Sequence, residues 1–144
     1  MKGDIVLASG NAGKLRELRA LLEPVGLAVR PQADWDTPEA EETGWTFVEN
    51  ALLKARNAAT HTALPALADD SGLGVPALGG EPGIHSARFS REGTDAANRS
   101  RLLEVMNTLA GEQRAAHYYC AVVLLRSARD PAPLIATAAW HGRI

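Results

Sequence analysis

The sequence is poor in three features that would each define its class: cysteine, long apolar runs and excess positive charge. Cys120 is the only cysteine, which excludes an internal disulfide and fits a reducing compartment. No apolar run approaches the roughly 18 residues that a membrane-spanning helix needs. The net charge of −2 gives no basic surface for duplex nucleic acid or anionic lipid. These absences predict a soluble cytoplasmic protein with no nucleic-acid or membrane partner.

What the sequence does contain is enough apolar material for one core. Apolar residues make up 46% of the 144-residue chain, and domains typically hold about 100–200 residues. The sequence shows no repeat, linker or low-complexity tract. We therefore expect a single domain over residues 1–144.

The apolar pattern predicts strands and helices in alternation. Strands are expected at 5–8, 27–30, 64–68, 116–125 and 134–140, and helices from residue 13 to a stop at Pro24 and Gly26, at 46–60 and at 95–109. The last two strands are expected to pair antiparallel. An order of βαβαβ followed by strands predicts an α/β fold with a mixed central sheet and flanking helices.

Local signals fix the faces and ends of the predicted helices. In the first helix four leucines share one face: Leu15, Leu18, Leu21 and Leu22. Thr46 and Glu49 have the spacing of a capping box at the start of the second helix. Gly111 stands in the C-cap position after the third helix.

The first candidate site is the stretch IVLASGNAGK, residues 5–14. A glycine-rich turn between a strand and a helix offers backbone N–H groups at the positive end of the helix dipole, and Lys14 adds a full charge. The stretch is not a P-loop, because Ala8 replaces its first glycine and Leu15 its magnesium-binding hydroxyl. A glycine turn of this kind also occurs for purely structural reasons, so alone it is ambiguous.

The second candidate site is the pair Asp69 and Asp70, at the end of the third predicted strand. Two adjacent carboxylates repel each other unless they share a proton or a cation. Oxygen ligands suit magnesium, and the acidic loop before the second helix could lend Glu41 or Glu42. The alternative is an Asx-type turn and a solvated acidic face. A phosphate cradle combined with a metal site favours chemistry on a nucleotide polyphosphate.

Other reactive residues have simpler interpretations. Cys120 lies among apolar neighbours and is expected in the core. The four histidines show no zinc-ligand spacing. Trp35 and Trp45 could stack on a base, although packing is the favoured role, and Arg88 could reach a phosphate or pair with a carboxylate.

Four stretches in order resemble the inosine/xanthosine triphosphate pyrophosphatase family: LASGNAGKLRELRALL, AEETGWTFVENALLKARNAA, ALPALADDSGLGV and LGGEPGIHSARFS. The resemblance runs from Ile5 to about Ile144. It implies hydrolysis of deaminated purine nucleoside triphosphates, namely ITP, dITP and XTP, to the monophosphate and pyrophosphate. It also implies Mg²⁺ as cofactor, a homodimer and an elongated two-lobed fold.

The resemblance implies site roles residue by residue. The triphosphate-binding stretch corresponds to Ser9, Gly10, Asn11, Ala12, Gly13 and Lys14. Glu41 corresponds to a magnesium ligand, and Asp70 to the general base and second magnesium ligand. Ser71 corresponds to a substrate contact, with Asp69 supporting Asp70.

The resemblance also implies two motifs after the strand ending near Trp140, a Gly-Phe-Gly-Tyr-Asp-Pro stretch and a Ser-His-Arg, which help to hold and select the base. The sequence given ends at Ile144, before either motif. We therefore expect a C-terminally short member whose triphosphate and metal residues are all present. Two alternatives stay open: a nucleotide-binding protein without turnover, and a pyrophosphatase that acts on other nucleotides.

Overall fold

The structure, a computed structural model, describes residues 3–144. Its strands are β1 (Gly3–Leu7), β2 (Leu27–Pro31), β3 (Ala66–Gly74), β4 (Ala115–Leu125) and β5 (Leu134–Arg143), and its α-helices are α1 (Ala12–Leu22), α2 (Phe47–Thr62) and α3 (Asp95–Val105). The strands form one sheet in the order β2-β1-β3-β4-β5. β1 runs parallel to both β2 and β3. The predicted α/β class with a mixed sheet and flanking helices is confirmed.

The chain divides into two compact units. The first contains the residues up to Asp70 together with Ala121–Ala136, and the second contains Ser71–Cys120 together with Thr137–Ile144. The single domain expected from the chain length stays a prediction.

The core of the first unit has two layers because strand side chains alternate between the faces of the sheet. On one face, Ile5 and Leu7 of β1 pack against leucines of α1. On the other face, Val6 and Ala8 pack against the small residues of α2. The two helices therefore cover opposite faces of β1.

Helix α1 follows its predicted face with one exception. Leu15, Leu18 and Leu22 pack on the sheet, but Leu21 is 69% exposed, so its predicted place on the inner face is wrong. At 3.6 residues per turn Leu15, Leu18 and Leu22 lie close together around the helix axis. Leu21 lies beyond the edge of the face that these three leucines form. At the start of α2 the capping box of Thr46 and Glu49 is present as predicted.

Strand β3 differs from its prediction at both ends. The pattern predicted a strand at 64–68 that ends at the aspartates, but β3 begins at Ala66 and continues to Gly74. Aspartate, serine and glycine are weak strand formers, and their place in a sheet between two neighbouring strands overrides that preference. Asp69 and Asp70 therefore lie within a strand and not in a turn.

The second unit has its own apolar core of Val75, Leu102, Met106 and Ala116. Helix α3 ends at Val105, four residues before the predicted end.

The carbonyls of Met106 and Leu109, just beyond α3, accept from the Arg114 guanidinium at 3.2 and 3.3 Å, so a side chain and not a glycine satisfies them. Gly111 has a left-handed φ of +56° but opens a short 3₁₀ helix, Gly111–Arg114, so its predicted capping role is wrong.

The end of the sheet is open. β5 neighbours β4 as predicted, and each of its ten residues is exposed.

Among residues 3–144 no helix combines the length and the apolar character needed to cross a membrane.

Candidate active site

The loop between β1 and α1 is held by its own side chains. Asn11 is the N-cap of α1, and its Oδ1 accepts from the backbone N–H groups of Gly13 at 2.8 Å and Lys14 at 3.1 Å. The backbone N–H of Asn11 donates in turn to Ser9 Oγ at 3.1 Å. Three of the backbone N–H groups predicted to bind phosphate are therefore already hydrogen-bonded within the protein. Lys14 then supplies the positive charge of the loop, and its side chain reaches the sheet.

Lys14 and Asp69 form the contact that joins the two sequence motifs. Lys14 Nζ donates to Asp69 Oδ2 at 2.6 Å, although the residues lie 55 positions apart. The parallel pairing of β1 with β3 explains this contact, because Leu7 lies opposite Leu67. The segments that follow these two residues therefore start side by side and run in the same direction. The loop after β1 and the aspartates of β3 therefore meet at the end of β1.

The two aspartates point to opposite faces of β3. Asp69 meets Lys14 of α1, whereas Asp70 meets Lys54 of α2, with 3.6 Å between Asp70 Oδ1 and Lys54 Nζ. This follows from strand alternation, since β3 continues straight through the pair. Each carboxylate therefore has its own lysine, which offsets the repulsion between the two aspartates in the protein alone.

Lys54 also contacts the acidic loop that precedes α2. Its Nζ lies 3.5 Å from Glu42 Oε2. The loop is fixed at Gly44, whose N–H donates to Asn50 Oδ1 at 2.8 Å. A Cβ on Gly44 would lie 2.7 Å from that oxygen, so this approach requires glycine. Lys54 thus lies between the carboxylates of Glu42 and Asp70.

Burial controls the electrostatics of Asp70. The residue is 8% exposed, and this loss of hydration raises the pKa of its carboxyl group above the ordinary value. The positive charge of Lys54 acts in the opposite direction, and the nearby Glu42 adds to the rise. The carboxyl group is therefore a stronger proton acceptor than an ordinary aspartate, as a general base requires.

Two carboxylate oxygens at this point are buried without a hydrogen-bond partner in the described part of the chain, Asp69 Oδ1 and Asp70 Oδ2. Buried polar atoms are nearly always satisfied, so each of these oxygens is a position for a water molecule or an ion. On the Asp70 side of the strand a hard divalent cation fits the carboxylates of Asp70 and Glu42, since magnesium needs only one or two carboxylates plus substrate phosphates. Residues 3–144 contain no group of three or more histidines, cysteines and carboxylates placed to hold a metal by themselves.

The other predicted site residues lie in more open positions. Glu41 is exposed, and its neighbour Glu42 is the residue that reaches Lys54. Gly10 and Ala12 are exposed in the loop, and Ser71 is exposed on β3 as the first residue of the second unit. Arg88 is exposed at the end of a short 3₁₀ helix.

Lys54 is the site residue that the sequence analysis missed. It lies on α2 four residues after Asn50, and its side chain is only 16% exposed. A signal existed, because Lys54 directly precedes Ala55, which lies on the buried alanine-rich face of α2. A lysine at the border of a buried face needs a carboxylate partner.

Comparison with known proteins places the chain in a family. The sequence profile of the Ham1 family matches residues 5–144. The chain belongs to the Ham1 family. It is 57% identical to a dITP/XTP pyrophosphatase of Thioalkalivibrio sulfidiphilus, an alignment that covers 97% of this chain and 72% of the relative. It is 55% identical to the dITP/XTP pyrophosphatase of Escherichia coli K12, with the same two coverages.

Solved structures agree with this Ham1 assignment. A HAM1 protein from Coxiella burnetii is 45% identical and superposes with a TM-score of 0.92, over 100% of this chain and 73% of that protein. A nucleoside-triphosphatase, dITP/XTP pyrophosphatase, from Mycobacterium abscessus is 40% identical with a TM-score of 0.82, over 98% of this chain and 74% of that protein. The Ham1 fold thus accounts for the whole described chain.

Proposed function

We propose that this chain hydrolyses deaminated purine nucleoside triphosphates, dITP, ITP and XTP, to the monophosphate and pyrophosphate. The relatives that are 55–57% identical carry this activity in their names. The observation that carries the proposal is the 2.6 Å contact between Lys14 and Asp69, which brings the loop lysine to the aspartate pair. Removal of these nucleotides from the nucleotide pool is the role that such an activity serves.

We propose Mg²⁺ as the cofactor, held by Asp70 with a glutamate of the acidic loop. Of the two candidates, Glu41 is the residue implied by the family resemblance, and Glu42 is the one whose carboxylate shares Lys54 with Asp70. When bound, the cation would neutralise phosphate charge. The unpaired Asp70 Oδ2 supports this assignment.

Lys14 is the proposed phosphate ligand. In the protein alone its charge is balanced by Asp69. A triphosphate carries more negative charge than one carboxylate, so the ammonium group can transfer to phosphate oxygens with a small movement of a side chain that is 33% exposed. The Lys14 ammonium group then lies beside the negatively charged pyrophosphate as it departs. The loop residues Ser9 to Gly13, and Ser71, are proposed as further substrate contacts.

Asp70 is the proposed general base. Water attacks the α-phosphorus, the bond from that phosphorus to the bridging oxygen breaks, and pyrophosphate leaves with the electron pair. The proton of the water passes to the Asp70 carboxylate, whose raised pKa favours its acceptance. Lys14 stabilises the charge that develops on the leaving group.

Product analysis tests the proposed reaction. Incubation with dITP, ITP, XTP, GTP and dTTP in magnesium buffer is expected to release pyrophosphate from the first three much faster than from the last two. In ¹⁸O-labelled water the label is expected in the monophosphate. Equal rates on all five nucleotides would indicate a pyrophosphatase of other specificity, and a thermal shift with dITP but no product would indicate a binding protein.

Two further properties complete the proposal. We propose that the chain works as a homodimer and in the cytoplasm, as the family resemblance implies.

A further inference from the structure

Two histidines come together in the second unit, far from each other in sequence. His117 lies on β4 and His141 on β5, which are neighbours in the sheet. Their ring centroids are 5.6 Å apart and the ring planes are inclined by 41°. Both rings line a cavity of about 320 Å³ that Tyr118 and Trp140 also line. The site of the proposed hydrolysis contains neither residue.

We propose that His117 and His141 form a binding site for a divalent transition-metal ion of the Cu²⁺, Ni²⁺ and Zn²⁺ class. Imidazole nitrogen is a preferred ligand of these ions, whereas magnesium prefers oxygen. The two protein ligands leave the remaining coordination positions to water or to a small ligand in the cavity. The inference is independent of the proposed hydrolysis, since the site lies on other residues and binds another class of ion.

The separation of the rings fits a shared ion. A nitrogen–metal bond of about 2.1 Å places the centroid of an imidazole about 3 Å from the metal, so two imidazoles on one tetrahedral ion have centroids about 5 Å apart. The observed centroid separation of 5.6 Å is close to this value. Adjacent strands of one sheet hold the two Cα atoms at a nearly fixed distance, so the pair is preorganised for chelation.

The residues around the pair decide which ring nitrogens can reach an ion. His141 is exposed and His117 is half-buried. A Cβ on Gly74 of β3 would lie 2.8 Å from His117 Nε2, so glycine at this position makes room for the ring. Since Nε2 faces β3, we assign Nδ1 of His117 as the ligand atom. Arg143, the charged residue of the cavity lining, donates to the Gly111 carbonyl at 2.9 Å and is thus held by another partner.

Calorimetric titration with Ni²⁺ tests the site on protein without a histidine tag. Saturating Mg²⁺ is kept in the buffer so that the carboxylates of the first unit are occupied, and the pH is about 8, where histidine is ordinarily neutral. We expect one Ni²⁺ per chain, and about tenfold or greater weakening in His117→Gln and in His141→Gln, because each removes one of two protein ligands. The matched controls His61→Gln and His85→Gln, at the two other histidines of the chain, are expected to bind like the unmodified protein.

Paramagnetic resonance of bound Cu²⁺ provides a second readout that needs no variant. Two equivalent imidazole nitrogens are expected in the hyperfine pattern of the unmodified protein. The proposal is overturned if Ni²⁺ does not bind at about 1 mM, if either His117→Gln or His141→Gln leaves the affinity unchanged, or if Cu²⁺ shows fewer than two nitrogens.

Discussion

At the scale of single residues, Asn11 combines two roles that substitution can separate. Its Oδ1 caps α1, and it stands in the loop proposed to bind the triphosphate. Asn11→Ala removes the cap and is expected to lower the free energy of unfolding by about 1 kcal/mol. Asn11→Asp keeps a good cap but adds a negative charge at an exposed position, so we expect near-normal stability and a KM for dITP raised about fivefold, from a repulsion of about 1 kcal/mol.

Urea unfolding and steady-state kinetics on the same two variants measure these effects. An unchanged KM in Asn11→Asp would show that the triphosphate does not approach this loop.

Asp130 predicts how stability depends on acid. Its carboxylate accepts from Arg126 Nε and Nη2, each at 2.8 Å, and from the backbone N–H of Ala132 at 3.0 Å. The side-chain hydrogen bond from Arg126 is the largest cause that lowers the pKa of Asp130 below its ordinary value of 3.8. A lowered pKa in the folded state stabilises the fold above pH 3.8, and that contribution is lost as pH falls below this value.

Asp130→Asn is therefore expected to be less stable than the unmodified protein at neutral pH and to lose less stability on acidification. Urea unfolding at pH 7 and at pH 3 measures both differences. Equal losses in the two proteins on acidification would mean that Asp130 is not held by these hydrogen bonds in solution.

At the scale of elements, β4 and β5 offer a matched pair of leucines on neighbouring strands. Leu125 of β4 is 0% exposed, whereas Leu134 of β5 is 61% exposed. Leu125→Ala is expected to lower the free energy of unfolding by about 2–5 kcal/mol, because it leaves a cavity in the core. Leu134→Ala is expected to change it by about 0.5 kcal/mol or less. Equal losses in urea unfolding would mean that β5 is covered in solution.

Elements whose residues repeat at one clear period were predictable from the sequence. The leucines of α1 and the capping box of α2 placed both helices correctly, since local spacing alone determines them. The course of β3 through its aspartates was not predictable, because pairing within the sheet overrides weak local preference. The same override turned Asp69 and Asp70 to opposite faces, each toward its own lysine.

At the scale of the whole molecule, the sequence predicted candidate site residues but not which of them are in contact. The motifs around Lys14 and Asp70 carried the family resemblance, and membership of the Ham1 family is confirmed. Lys54 was missed because its partners Glu42 and Asp70 lie 12 and 16 positions away on either side, beyond the reach of local pattern. Contacts of that range exist only once the chain has folded.

The proposed homodimer is also a property of the whole molecule. Light scattering of the purified chain is expected to give about twice the 15.3 kDa mass of one chain at tens of micromolar concentration. A mass of one chain over the whole accessible concentration range would contradict it.

The central claim is that Asp70 accepts the proton of the attacking water, and pyrophosphate release by Asp70→Asn tests it most directly. We expect release from dITP to fall at least about 100-fold, with the Kd for dITP changed only a few-fold. The control Asp34→Asn, at an exposed aspartate of the same unit, is expected to keep full activity. Turnover by Asp70→Asn close to that of the control would contradict the account.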